Sequence, residues 1–120
     1  MASVLIVDDA AFMRLTIKQV LEPEGYTIAG EAGNGIEAWQ MYAQLRPDVV
    51  ILDITMPDMN GLEALKRIKI MDENAKIIIC SALGQHEMVA KAIEYGAQEF
   101  IVKPFQAARL LAAVKKVLSR

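Results

Sequence analysis

The sequence is poor in the residues that cross-link or ligate small proteins. It contains one cysteine, one histidine and one tryptophan among 120 residues. Cys80 therefore has no partner for an internal disulfide, which indicates a reducing, cytoplasmic setting. An excess of positive charge is also lacking, because 13 basic residues stand against 15 acidic ones and the net charge is −2. This balance argues against a nucleic-acid partner, because proteins that bind nucleic acids usually carry a basic patch.

Long apolar runs are missing as well. No stretch reaches the roughly 18 uncharged residues of a membrane span, and the first residues lack the basic segment of a signal peptide. We therefore expect no membrane partner. The composition is nevertheless 54% hydrophobic and 23% charged, which excludes a disordered chain. Because this length fits one domain, we expect residues 1–120 to form a single unit without an output domain.

Short apolar runs alternate with stretches of helical periodicity along the whole chain. Five predicted strands cover residues 4–7, 26–32, 49–52, 77–80 and 100–102. Between them, apolar residues recur at helical spacing, and the helices end near proline or glycine. Near-continuous apolar strands are typical of a parallel sheet that is buried on both faces. The pattern predicts an α/β fold, a single doubly wound open sheet of five βα units.

Polar residues follow four of the five predicted strands. Asp8 and Asp9 follow the first strand, Asp53 the third, Ser81 the fourth and Lys103 the fifth. In open α/β sheets, binding sites lie at the carboxyl ends of the strands. If the first and third strands are neighbours, three carboxylates converge there, and a cation is needed to offset their repulsion. Oxygen ligands suit Mg²⁺, and a cation, a lysine and a hydroxyl around one carboxylate are what phosphoryl transfer needs.

These residues lie within longer segments that resemble the receiver domain of bacterial two-component response regulators. The segments are residues 4–9, 53–61, 81–82 and 103–105, in matching order and spacing, and residues 9–14 are most similar to the stand-alone chemotaxis regulators. The resemblance implies a flavodoxin-like fold with strand order 2-1-3-4-5. It also implies a signalling switch rather than a turnover enzyme, one that accepts a phosphoryl group and slowly hydrolyses it.

The resemblance assigns a role to each residue at the expected site. It implies that Asp53 accepts a phosphoryl group from a sensor histidine kinase and that Lys103 binds a phosphate oxygen. Mg²⁺, with Mn²⁺ as an alternative, would be bound by Asp9, Asp53 and the backbone carbonyl of Thr55. Asp8 would act mainly through a metal-bound water. The peptide bond between Lys103 and Pro104 would be cis, as in the family.

The resemblance also implies how phosphorylation would change the surface. Ser81 would move to hydrogen-bond the phosphoryl group, and Phe100 would then turn inward. A downstream target, in chemotaxis or flagellar motor control, would bind helix 4, strand 5 and helix 5, and a phosphatase is a further candidate partner. Because Phe100 replaces a frequent tyrosine, we expect this coupling to depend on packing alone.

Two positions are expected to tune hydrolysis of the phosphoryl group. Thr55 and Leu83 lie two residues after Asp53 and Ser81, where the family varies this rate. Leu83 is apolar and cannot orient a water molecule. We therefore expect slow autodephosphorylation.

Other interpretations of the sequence stay open. Gly33 and Gly35 begin a match to the dinucleotide fingerprint G-x-G-x-x-G/A, which would indicate a nucleotide-binding enzyme. That reading leaves Asp8, Asp9 and Lys103 unexplained, and a turn before a helix accounts for the glycines equally well. Within the family, the alternatives are a sporulation-type phosphorelay carrier, a receiver of a longer regulator, or a degenerate receiver that binds without phosphorylation. The intact set of acids argues against the degenerate receiver.

Overall fold

A computed structural model of the protein describes residues 2–56 and 61–119. The strands are β1 (Ser3–Val7), β2 (Thr27–Ala32), β3 (Val49–Asp53), β4 (Ile77–Ala82) and β5 (Glu99–Lys103). The helices are α1 (Ala11–Leu21), α2 (Gly35–Leu45), α3 (Gly61–Met71), α4 (His86–Glu94) and α5 (Ala107–Leu118). A 3₁₀ turn at Glu22–Glu24 follows α1.

The strands form one parallel sheet in the order β2-β1-β3-β4-β5. The predicted doubly wound α/β fold and the implied strand order are both confirmed. β1 and β3 are direct neighbours, with Val7 opposite Leu52, so the residues that follow these strands meet at one edge of the sheet. Among the described residues, no helix is both long and apolar enough to cross a lipid bilayer.

The core divides into two layers because neighbouring residues of a strand point to opposite faces of the sheet. On one face, Leu5, Val50 and Leu52 pack beneath α2 and α3. On the other face, Ile6 and Ile51 join residues of α1 and α5. All five residues of β3 are buried, which explains its unbroken apolar run before Asp53. The two core layers thus hold β3 rigidly beneath the candidate site.

Three predicted strand ends need correction. β4 extends to Ala82, so Ser81 lies within the strand rather than after it. Asp53 and Lys103 are likewise the last residues of β3 and β5. The physical reason is the parallel ladder, which continues through the polar residues by pairing Asp53 with Cys80 and Ser81 with Val102. The backbone of these site residues is therefore fixed by the sheet itself.

The glycine segment before α2 forms a helix cap. The side chain of Asn34 accepts a hydrogen bond from the amide of Glu37, and the Glu37 carboxylate accepts one from the amide of Gly33. This reciprocal pair satisfies two amides at the start of the helix. The segment follows β2, which is an edge strand. A turn before a helix therefore accounts for Gly33 and Gly35, as the simpler interpretation held.

Candidate functional site

The strand-end residues lie together at the carboxyl edge of the sheet. Asp8 follows β1 directly, Asp53 and Lys103 end β3 and β5, and Ser81 is the penultimate residue of β4. Asp8, Asp53 and Ser81 are almost fully buried, with 1%, 3% and 1% of their surface exposed. Asp9 is exposed. The four strands thus place two buried carboxylates, a hydroxyl and an ammonium group at one site.

Lys103 links the two buried carboxylates. Its Nζ donates a hydrogen bond to Asp8 Oδ2 at 2.6 Å and another to Asp53 Oδ2 at 3.2 Å. Burial alone would lower the pKa of Lys103, but the hydrogen bond to Asp8 and the charges of Asp53 and Asp8 outweigh it and raise the pKa. Lys103 is therefore held as a cation between two anions. The peptide bond to Pro104 is cis, as the resemblance implies.

The remaining carboxylate oxygens are oriented by the turns that follow β1 and β3. Asp8 Oδ1 accepts a hydrogen bond from the amide of Ala10 at 2.9 Å. Asp53 Oδ1 accepts two from Thr55, one from the amide at 2.9 Å and one from the hydroxyl at 2.8 Å. Thr55 therefore contacts Asp53 through its side chain as well as lying on the backbone segment expected to ligate a metal.

The acids form a group that fits a divalent cation. One carboxylate oxygen from each of Asp8, Asp9 and Asp53 can be chosen so that all three lie within 4.8 Å of one another. An oxygen-only donor set with one exposed side suits Mg²⁺, which keeps several waters and prefers carboxylate ligands. The predicted residues are thus brought together in a suitable arrangement. Asp8 is already paired with Lys103, at a shorter distance than Asp53 is.

Ser81 and Phe100 both line a cavity beside the site. The cavity has a volume of about 200 Å³ and is lined by residues from β4, the following loop, α4 and β5. Ser81 Oγ is buried and has no hydrogen-bond partner among the described residues. Phe100 lines the cavity but remains 38% exposed. This arrangement leaves room for Phe100 to turn inward. Leu83, in the loop that also borders the cavity, is 78% exposed.

Two residues that shape the site were missed in the sequence. The Arg14 guanidinium on α1 donates a hydrogen bond to the backbone carbonyl of Asp8 at 2.7 Å and forms an ion pair with Glu31 on β2. Gly61 begins α3 so close to β3 that a Cβ atom there would overlap the Asp53 carbonyl. Both residues end segments that carry the family resemblance, residues 9–14 and 53–61, but no role was assigned to either from the sequence. Residues 57–60 of the matching segment lie outside the described residues.

Comparison with known proteins identifies the family. The model of the response regulator receiver domain matches residues 4–115. The chain is 58% identical to a chemotaxis protein CheY of Thermotoga maritima over 95% of both chains. It is 41% identical to the sporulation initiation phosphotransferase F of Bacillus subtilis, over 96% of this chain and 92% of that one.

A solved structure shows the same architecture. The structure of a CheX–CheY–BeF₃–Mg²⁺ complex from Borrelia burgdorferi matches with a TM-score of 0.94 and 40% identity. The match covers 99% of this chain and 90% of that one. The family model, the curated relatives and the shared topology agree on the family. The chain belongs to the response regulator receiver domains of two-component signalling, and its relatives include chemotaxis regulators.

Proposed function

We propose that this receiver domain is a phosphorylation-controlled binding switch in chemotaxis, with Asp53 as the phosphoryl acceptor. The observation that carries the proposal is the position of Lys103, whose ammonium group bridges Asp53 and Asp8 beside the unpartnered hydroxyl of Ser81. The chemotaxis function is supported by the higher identity to the chemotaxis relative, 58% against 41% for the sporulation phosphotransferase.

The phosphoryl donor in this proposal is a phosphohistidine of a sensor kinase. A carboxylate oxygen of Asp53 forms a bond to phosphorus while the bond between phosphorus and the histidine nitrogen breaks. Asp8, Asp9 and Asp53, with the Thr55 carbonyl, would hold Mg²⁺, which supplies positive charge to the phosphoryl oxygens. Lys103 supplies a second positive charge from β5 and binds a phosphoryl oxygen. The exposed side of the site, at Asp9, admits the donor.

The new charge provides the means of switching. A phosphoryl group adds about −1.5 to −2 charge units at pH 7. This charge favours a state in which Lys103 and the Ser81 hydroxyl both close on the phosphoryl group, and phosphorylation raises the population of that state. The movement of Ser81 draws the following loop with it and allows Phe100 to fill the adjacent cavity. The downstream target would recognise the altered surface of α4, β5 and α5.

Intact-mass spectrometry after incubation with acetyl phosphate and Mg²⁺ tests the phosphoryl acceptor. We expect one added phosphoryl group on the wild type, and none without Mg²⁺ or in Asp53→Asn. Asp48→Asn provides a control, because Asp48 lies just before the first residue of β3, at the end of the strand away from the site, and contacts Ser3. This variant should gain the phosphoryl group. If the wild type gains no mass while a known receiver reacts, the protein is instead a degenerate receiver that binds without phosphorylation.

We further propose that Leu83 makes the aspartyl-phosphate long-lived. The side chain is 78% exposed beside the site and carries no group that could orient an attacking water. Leu83→Glu should shorten the phosphoryl lifetime by about tenfold, below the range of roughly 100- to 10,000-fold that is typical of a well-positioned general base. The lifetime is measured by the decay of the phosphorylated mass after removal of acetyl phosphate. A wild type that decays faster than the variant contradicts the proposal.

A further inference from the structure

The cavity beside Ser81, which we call the α4 cavity, has the character of a small-molecule site. Its volume is about 200 Å³. Its apolar walls are formed mainly by Leu83, Val89, Phe100 and Val102. Among the described residues, the lining includes His86 but no aspartate, glutamate, lysine or arginine. An occupant of matching chemistry is therefore uncharged and mostly apolar.

Two polar side chains with buried oxygen atoms also line the α4 cavity. Ser81 Oγ and Gln85 Oε1 each lack a hydrogen-bond partner among the described residues, and both residues line the cavity. Ser81 is 1% exposed. Buried polar groups without partners are uncommon in folded proteins because their desolvation is not compensated. An occupant with a hydroxyl group, which both donates and accepts, could satisfy either atom.

We propose that the α4 cavity binds a small, uncharged aromatic molecule that carries one hydroxyl group, as in a simple phenol. The volume suits a single ring, since an apolar cavity of ~150 Å³ in another protein holds benzene. The ring contacts the apolar walls formed by Val89, Val102 and Phe100. The hydroxyl hydrogen-bonds Gln85 Oε1 or Ser81 Oγ. An aliphatic molecule of equal size leaves the ring of Phe100 without a stacking partner.

The consequence for signalling depends on the proposed switch. In the proposed switch, Phe100 enters the α4 cavity when Ser81 moves towards the phosphoryl group. A bound ring occupies the same space, so the ligand and the phosphorylated state exclude each other. Because coupling between two sites is reciprocal, the phosphoryl group weakens ligand binding by the same factor by which the ligand weakens the switched state. The bound molecule is thus an antagonist of the switch.

Fluorine NMR with 4-fluorophenol as the probe tests the site in the unphosphorylated protein. We expect saturable line broadening with a dissociation constant on the order of 1 mM, a value fitting a ligand of so few atoms. Val89→Phe, which fills the cavity, should weaken binding at least tenfold. Ala90→Phe adds a ring at the exposed neighbouring position of α4 and should leave binding unchanged. Equal binding by both variants, or no saturation in the wild type, overturns the proposal.

Two further measurements keep the outcome interpretable. Methyl resonances of Val89 and Val102 in the wild type should shift on titration, which locates the ligand even if Val89→Phe does not fold; shifts confined to other methyl groups overturn the site. Beryllofluoride with Mg²⁺ should weaken 4-fluorophenol binding at least fivefold. Unchanged affinity in a protein shown by fluorine NMR to hold beryllofluoride overturns the antagonism. If beryllofluoride is not taken up, the proposed function fails while the binding comparison still decides the site.

Discussion

At the scale of single residues, the site consists of a few charged side chains in a largely buried space. Asp8 and Asp53 are almost completely inaccessible, and Lys103 is the cation that contacts both. The sequence predicted all three residues from their position after apolar strands. It did not predict the pairing, because Lys103 and Asp8 are 95 positions apart and their contact depends on the sheet.

Replacing the bridging lysine should uncover the repulsion between the two acids. Lys103→Met keeps an apolar stem but leaves Asp8 and Asp53 without a counter-ion, and we expect a loss of about 3 kcal/mol in unfolding free energy. Mg²⁺ should then stabilise the variant more than it stabilises the wild type, because the uncompensated carboxylates gain more from a cation. Urea denaturation with EDTA or with Mg²⁺ measures both effects.

A surface lysine gives the matched control for this prediction. Lys116 pairs with Glu99 at 3.2 Å and is mostly exposed. Lys116→Met should cost less than about 1 kcal/mol and leave the Mg²⁺ effect unchanged, since exposed ion pairs are weak. An equal Mg²⁺ effect in Lys103→Met and the wild type would show that the lysine does not offset the acids.

At the scale of elements, the site depends on how closely α3 approaches β3. The helix begins at Gly61, and its first residue lies against the backbone of Asp53 and Ile54. On α1, Arg14 similarly fixes the turn after β1 by binding the Asp8 carbonyl. The periodicity of the sequence predicted both helices but not these contacts, because periodicity shows which face is buried and not how near two backbones come.

Adding one methyl group at the start of α3 should disturb the phosphoryl acceptor. In Gly61→Ala the new Cβ overlaps the Asp53 carbonyl and the Ile54 Cα. Backbone atoms cannot move aside as a flexible side chain can, so we expect a loss of about 1–3 kcal/mol and slower uptake of phosphoryl from acetyl phosphate. Thermal melting and mass spectrometry measure the two effects.

Gly33→Ala is the matched control. The nearest atom to its added Cβ lies at 3.5 Å, an ordinary contact distance, in the flexible side chain of Glu37. We expect a change of less than about 0.5 kcal/mol and normal phosphoryl uptake. A Gly61→Ala variant as stable and reactive as Gly33→Ala would show that α3 can shift without moving Asp53.

At the scale of the whole molecule, the two ends of the sheet serve different purposes. The carboxyl edge carries the acids, Lys103 and the α4 cavity. At the opposite edge, Tyr42 on α2 donates a hydrogen bond to Asp72, which follows α3, at 2.8 Å. Burial, together with this bond, raises the pKa of Tyr42 to about 12, and the same bond lowers the pKa of Asp72. This contact ties two helices together away from the site.

The Tyr42 contact should contribute to stability in a pH-dependent way. Folding lowers the pKa of Asp72. The stabilisation from this contact is therefore fully present above about pH 3.9, the pKa of Asp72 in the unfolded chain, and is lost as the pH falls through the lower pKa of the folded state. Tyr42→Phe should therefore be about 1 kcal/mol less stable than the wild type at pH 7. The difference should shrink towards zero in strong acid. Urea denaturation across the pH range measures it.

Tyr95→Phe is the control for the pH dependence, since the Lys66 ammonium lies 5.2 Å from the centre of the Tyr95 ring. Its stability difference from the wild type should not vary with acid pH. Both variants should take up phosphoryl groups normally, because neither position touches the carboxyl edge. A constant deficit for Tyr42→Phe down to pH 2 would contradict the role of Asp72.

The sequence by itself determined the number and order of the strands and α-helices, and it identified the polar residues at or near the ends of four strands. These features are local, because an apolar run, a helical period and a following polar residue can be recognised within a short stretch of chain. Only the tertiary structure decided that Lys103 bridges Asp8 and Asp53, that Gly61 abuts Asp53, and that Ser81 and Phe100 line one cavity. Those features depend on the register of neighbouring strands and on packing between distant segments. Neither can be recognised within a short stretch of sequence.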